Sequence, residues 1–237
     1  MLPLKDDIPS RRFPVVTLGI IFLNGAGFIY ELGLRARLEY FLFEWGLVPV
    51  RYTHSKIAGF FTLQEQLAPF FTSMFLHGGW THLLGNLWTL WIFGDNVEDR
   101  LGRRRYLLLY LVGGVVAGLL HVFTNANSSL PTIGASGAVA AVMGAYFRLY
   151  PRANVAMVIP PFIFGPIFVV PAVVFLGWWF LLQFLNGTLC VLGDPSRVGS
   201  VAWWAHIGGF LFGALVGSVL EGKRVPLRSA WKDIGPW

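Results

Sequence analysis

Residues 134–150 read GASGAVAAVMGAYFRLY, and this run decides how the chain folds. It carries no charge before Arg148 and little side-chain volume before Tyr146. As a helix it would present two rows of small residues on adjacent faces, Ser136-Ala140-Gly144 and Gly137-Ala141-Ala145, so that a neighbouring helix can approach its backbone closely. Fifteen residues, Ser136 to Tyr150, cover only about 22 Å, whereas the hydrocarbon core of a bilayer is roughly 30 Å thick. Arg148 and Arg152 hold one end at a membrane surface. The other end, which Ser136 opens, must then lie below the opposite surface.

The rest of the chain supplies the bilayer setting. Of 237 residues, 55% are hydrophobic and 13% charged, with a mean hydropathy of +0.62; an ordinary soluble domain is about a quarter charged. The reading is an all-α membrane protein with six spans, at about Phe13–Tyr30, Trp80–Phe93, Tyr106–Phe123, Ser136–Tyr150, Phe162–Leu185 and Val201–Leu220. The first is read as a retained span rather than a removable signal. Between the first two, Leu32 to Leu76 mixes Leu38, Phe41, Phe43 and Trp45 with Arg35, Arg37, Glu39 and Glu44, the pattern of an amphipathic segment lying in the interface. This divides the chain into a cytoplasmic segment 1–12, a six-helix membrane domain 13–221 and a cytoplasmic tail 222–237.

The net charge of +6 suggests a basic protein, but the cations cluster at span ends and therefore report topology rather than nucleic-acid binding. With both termini cytoplasmic, thirteen Lys and Arg fall inside and five (Arg35, Arg37, Arg51, Lys56 and Arg197) outside. Cys190 is the single cysteine, which leaves no disulfide framework and no cysteine-rich metal site. His54 and His121 read as surface or interface residues, since no carboxylate or cysteine stands beside them in sequence.

Polar side chains inside spans need a partner or a cavity, and five positions stand out: His77, His82, Asn86, Ser136 and His206. His82 and Asn86 lie one turn apart on one face. His206 follows Val201 by five residues, about 7 Å down its helix. Three helices thus bring polar groups to one depth near the outer surface. Gly209, Gly213 and Gly217 form a ridge after His206 that can cross the small rows of the Ser136 helix, although such glycines also serve packing alone. A neutral imidazole can take the proton of a serine hydroxyl, and the N–H groups at the start of a helix favour developing negative charge. The Ser136 amide, Asn86 and His82 are candidate donors to the oxyanion of amide cleavage. No Asp or Glu lies in the fourth or sixth span to orient His206, which suggests a dyad rather than a triad.

Gly134-Ala135-Ser136-Gly137, the stretch from His77 through His82 to Asn86, and Ala205-His206 followed by Gly209 and Gly213 resemble the signatures of rhomboid intramembrane serine proteases; Val97-Glu98 and Arg100-Leu101-Gly102 resemble that family's segment after the second helix. The resemblance implies a six-helix core, Ser136 as nucleophile and His206 as base. It further implies His82, Asn86, Gly134 and the Ser136 amide in oxyanion and substrate binding, with no metal or other cofactor. Substrates would be membrane-anchored proteins cut in or beside a transmembrane helix, and the location a bacterial inner or plasma membrane. Two positions depart from the family pattern. Ala68-Pro69 stands near the place of a Trp-Arg pair in the first loop, and Ala140 where some members have a tyrosine packed on the histidine. The alternatives are a non-catalytic relative that binds and escorts membrane proteins, and a small transporter. Pro166 and Pro171 point to the fifth span as a weakened helix that could admit substrate, with Trp178, Trp179 and Phe180 nearer its outer end.

Overall fold

The computed structural model describes residues 2–158, 166–192 and 201–220. Among them are six helices of fourteen residues or more: α1 (Val15–Leu34), α2 (Trp80–Leu101), α3 (Arg103–Thr124), α4 (Ser136–Leu149), α5 (Ala172–Leu192) and α6 (Trp203–Leu220). Four stretches of the described residues are long and apolar enough to cross a membrane: Val15–Trp45, Arg103–Thr124, Ala172–Cys190 and Trp203–Leu220. α4 is fourteen residues long, and α2 ends in a charged turn with Glu98, Asp99 and Arg100. The expected fifth-span start at Phe162, the boundary at 221, the tail 222–237 and the cations Arg197, Lys223, Arg224, Arg228 and Lys232 lie outside the described residues.

α4 is the central element, packed against α2, α3 and α6, and every residue from Gly137 to Tyr146 is buried. The small rows explain how this is possible. A Cβ added at Gly209 would overlap the Gly137 carbonyl, one at Gly213 the Ala141 carbonyl, and one at Gly144 the Phe210 carbonyl. On the α3 side, Gly113 meets the Ala141 methyl and Gly114 meets Met74 and Ala138. α4 and α6 therefore touch backbone to backbone, which converts a shortage of side-chain volume into dispersion contact.

Polar clamps hold the outer helices. The buried Glu98 carboxylate of α2 accepts from the Val16 and Thr17 amides at 3.0 and 2.8 Å and from the Thr17 hydroxyl at 2.9 Å. It caps the first turn of α1 with an anion, where the helix dipole favours one. Gly102, at φ +80°, turns the chain sharply from α2 into α3, a backbone region glycine enters without a Cβ penalty.

The all-α expectation is corrected by a three-stranded antiparallel sheet of β1 (Leu2–Asp6), β2 (Asn154–Val158) and β3 (Phe168–Pro171), in that order. These short runs on either side of the helices satisfy their backbone groups by pairing with one another; Val155, Val158, Val169 and Val170 supply β-branched character. β1 is tied to the helices as well: the Trp88 indole donates to the Pro3 carbonyl at 2.6 Å, and one Asp6 oxygen accepts from Asn96 at 2.7 Å and from Tyr146 at 2.5 Å. Pro166 and Pro171 consequently precede α5 rather than interrupt it, Pro171 standing immediately before the first helical residue, where a missing N–H costs nothing. Trp178, Trp179 and Phe180 fall in the first half of α5.

The segment after α1 is a string of short helical turns at Leu38–Trp45, Val50–Thr53, Ser55–Ala58, Leu63–Leu67 and Pro69–Thr72. Arg51 organises it: its guanidinium donates to the Phe43 and Glu44 carbonyls and lies 4.5 Å over the Phe61 ring. Gln66 donates to the Ala58 and Phe61 carbonyls, Tyr52 to the Gln66 carbonyl and Thr72 to the Trp45 carbonyl. These bonds anchor the loop in a chain that has Ala68-Pro69 near the place of a Trp-Arg pair.

Two outcomes follow from this packing. Gly213→Val should lower the thermal unfolding midpoint in detergent, with an overpacking cost of about 1–3 kcal/mol, whereas Gly19→Ala, with nothing within 4 Å of the new methyl, should hold or raise it through helix propensity. Burial pushes the Asp6 carboxyl up to about 7, against the Tyr146 hydrogen bond and aided by Asp95. A carboxyl that holds its proton more tightly when folded stabilises β1 docking most below its unfolded value of 3.8, and that contribution is lost as pH rises toward and past about 7. Tryptic release of β1, taken as the ratio of wild type to Asp6→Asn, should therefore accelerate from pH 5.5 to 8.

Candidate active site

Ser136 is the first residue of α4, and His206 lies in the first turn of α6. The close crossing of these helices sets Ser136 Oγ 2.8 Å from His206 Nε2. Both side chains are half-buried. A hydroxyl with an imidazole nitrogen at hydrogen-bond distance is the arrangement from which a base can take the serine proton as the oxygen attacks a carbonyl. The Ser136 amide, in the first turn of α4, has no earlier carbonyl of its own helix to bond.

The far side of the imidazole is covered from α5. Gln183 Oε1 lies 2.8 Å from His206 Nδ1, and the Trp179 ring, one turn earlier, sits with its centroid 5.8 Å from that of His206 at an interplanar angle of 35°. Trp203 of α6 meets the imidazole edge-on at 6.4 Å. With Ala140 at the position where some family members place a tyrosine, the aromatic neighbours of His206 come from α5 and α6. Trp179 and Phe180 also pack on Phe210, while Trp178 is 48% exposed and faces away.

His82, Asn86 and Gly134 form the other wall. Gly134 has φ +123°, and a Cβ there would come within 2.5 Å of His82 Cε1 and 2.6 Å of Nε2. The His82 imidazole therefore lies flush on the turn that leads into Ser136, itself held by the Gly134 amide donating to the Ser73 carbonyl at 2.8 Å. Asn86 is buried, with Nδ2 3.2 Å from His77 Nε2; a primary amide has two N–H bonds, so one remains for a ligand. The His77 amide donates to both Glu31 oxygens, at 3.1 and 3.2 Å. The His77 and His82 rings are 5.1 Å apart.

Glu31 and Gln183 were not among the site residues expected from sequence. The signal was available, since each is a polar residue in an apolar helix, and the rule that singled out Asn86 covers them equally. His121 is corrected: it is buried, 2.7 Å from Thr132 Oγ1 through Nε2 and 3.2 Å from Asn125 Nδ2 through Nδ1, and so is an internal tie between α3 and the strand-like run before α4. Among the described residues no group of three His, Cys, Asp or Glu side chains is arranged to hold a metal ion.

Residues 64–223 match the model of the Rhomboid domain. The chain is 31% identical over 179 residues to presenilin-associated rhomboid-like protein A, mitochondrial, of Danio rerio, covering 70% of this chain and 42% of that protein. It is 30% identical over 150 residues to rhomboid protein 1, mitochondrial, of Saccharomyces cerevisiae, covering 61% of this chain and 39% of that protein. It is also similar to the putative rhomboid protease YdcA of Bacillus subtilis, 35% identical over 75 residues, covering 32% of this chain and 37% of that one. The matched stretches span less than half the length of these relatives. The expected bacterial inner or plasma membrane gains no support from names that are mainly mitochondrial.

The wall built on Gly134 can be tested by crowding it. Gly134→Ala should cost about 1–3 kcal/mol in thermal unfolding, from a positive φ and from the methyl driven into His82. Adding His82→Ala should return part of that loss, and the non-additivity in a double-mutant cycle measures the contact.

Proposed function

The chain belongs to the rhomboid family, and we propose that it is an intramembrane serine endopeptidase that cuts membrane-anchored proteins within or beside a transmembrane segment. The observation that carries this reading is the 2.8 Å contact between Ser136 Oγ and His206 Nε2. It weighs against a non-catalytic escort, which has no need of a nucleophile and base in register. A transporter site near the bilayer midplane with broken helices finds no support in α5, whose prolines precede it.

The chemistry runs as acyl transfer. Ser136 Oγ bonds to the scissile carbonyl carbon while its proton passes to His206 Nε2, and the carbonyl π pair moves onto oxygen. The oxyanion is met by the Ser136 amide, the second N–H of Asn86 and His82, beside the Gly134 turn. Collapse breaks the C–N bond, with Nε2 returning the proton to the leaving nitrogen, and water activated by the same imidazole then hydrolyses the Ser136 ester.

In this reading all six helices cross the bilayer, which puts both termini on one side. α4 crosses in spite of its shortness because neighbouring helices surround it, and α2 in spite of its charge because it turns Trp80, Leu84, Trp88 and Trp91 outward and keeps Glu98 buried against α1. The first loop lies in the interface, where exposed Tyr40, Phe60, Leu63 and Leu67 meet lipid. Substrate enters beside α5, the least embedded of the apolar spans, which is less buried among its neighbours than α3 and α6. A transmembrane substrate must unwind there, because a helix hides its carbonyls in internal bonds.

Ser136→Ala and His206→Ala should each abolish cleavage of a transmembrane substrate in protein that still unfolds cooperatively. Asn86→Ala should be milder, slowing turnover by about 10²–10³ while other donors remain. Near-normal cleavage by a folded Ser136→Ala variant would end the protease reading.

A further inference from the structure

We infer that Gln183 of α5 is the positioning residue that sets the tautomer of His206, and that the catalytic base is therefore complete only while α5 is docked on α6. The inference deepens the protease reading above and rests on it.

The proton positions follow from which partners can donate. Gln183 Nε2 donates to the Trp179 carbonyl at 3.3 Å. That carbonyl can only accept, so it takes the NH2 end of the amide, and Oε1 is turned toward His206. Oε1 likewise can only accept, so the nitrogen 2.8 Å away, Nδ1, carries the imidazole proton. Nε2 is then left with its lone pair, and the Ser136 hydroxyl, 2.8 Å from it, must be the donor. Each assignment forces the next, and the last is the protonation pattern a general base needs. A flipped amide would set two acceptors against each other at Trp179 and leave no acceptor for Nδ1–H.

The surroundings suit a positioning role. Gln183 is buried, so water competes little for the bond, and a buried amide that lost its partner would be left unsatisfied. Once Nε2 takes the serine proton, the Oε1 dipole faces the positive Nδ1–H. This is the work a carboxylate does in a triad, done by a neutral group that needs no countercharge inside a bilayer. α5 also brings Trp179 onto the same ring. One turn of one helix thus supplies both the stack and the acceptor, and moving that turn outward removes both together.

The test compares Gln183→Met, of similar length but without an oxygen acceptor, with Gln183→Glu, which keeps an acceptor at the same reach. The readouts are the rate of covalent labelling of Ser136 by a fluorophosphonate and the kcat and KM for a transmembrane substrate, with Ser136→Ala as the blank. Gln183→Met should label about 10- to 100-fold more slowly and lose kcat to the same degree with KM little changed, while Gln183→Glu should retain most of the wild-type rate. Histidine ¹⁵N spectra should show the Nδ1–H form of His206 in wild type and a mixture of tautomers in Gln183→Met. Wild-type labelling rates in a folded Gln183→Met variant, or equal impairment of both variants, would overturn the role of the acceptor. If wild-type protein itself is not labelled above the Ser136→Ala blank, the protease reading fails instead.

Discussion

The contact on which the rest of the structure depends is the crossing of α4 and α6. Hydrocarbon gives two apolar helices no solvent-driven reason to associate, so their affinity comes from dispersion and from how closely the backbones approach. Gly209 and Gly213 set carbonyls of α4 against bare Cα atoms of α6, and Gly144 does the reverse. Any side chain at these positions would separate the helices by the width of a methyl group or more. Ser136 and His206 share a hydrogen bond because each lies near the start of a ridge that tolerates no such separation.

Around that crossing, the remaining helices are held by a few polar side chains, buried or half-buried, each meeting a donor or acceptor on another element. Glu98 caps α1 from α2, Glu31 binds the His77 amide, Asp6 joins β1 to α2 and α4, and Gln183 reaches from α5 to α6. Unpaired, every one of them would be costly in an apolar setting. Paired, they fix register in a bundle whose van der Waals surfaces would otherwise slide. Two of them, Glu31 and Gln183, end on the walls of the site, so the same bonds that fix helix positions also orient His77 and His206.

The site is enclosed unevenly. α4 is buried for most of its length, while α5 presents Val174, Trp178, Leu181 and Leu185 outward and grips α6 chiefly through Trp179, Phe180 and Gln183. Opening at α5 would disturb the fewest packed residues. Under the proposed protease reading, it would also expose His206 on the side where Gln183 meets it, and so link admission of a substrate to readiness for chemistry.

Much of this was legible in the chain. The shortness of the Ser136 helix, the two small rows, the ridge at Gly209, Gly213 and Gly217, and the shared depth of Ser136 and His206 all follow from helical periodicity and the thickness of a bilayer, which act on each segment separately. Composition likewise assigned the chain to the membrane. Tertiary structure alone decided which partner each polar group found. Gln183 and Glu31 look like isolated blemishes in apolar runs until α5 and α1 are set beside His206 and His77; His121 looks like a surface residue until Thr132 is folded onto it. The sheet was hidden for the same reason, since β1 and β2 lie about 150 residues apart in a chain where strands gain stability only from their partners. Periodicity is a property of one segment and can be read there, whereas a hydrogen bond belongs to two segments and exists only once packing has brought them within 3 Å.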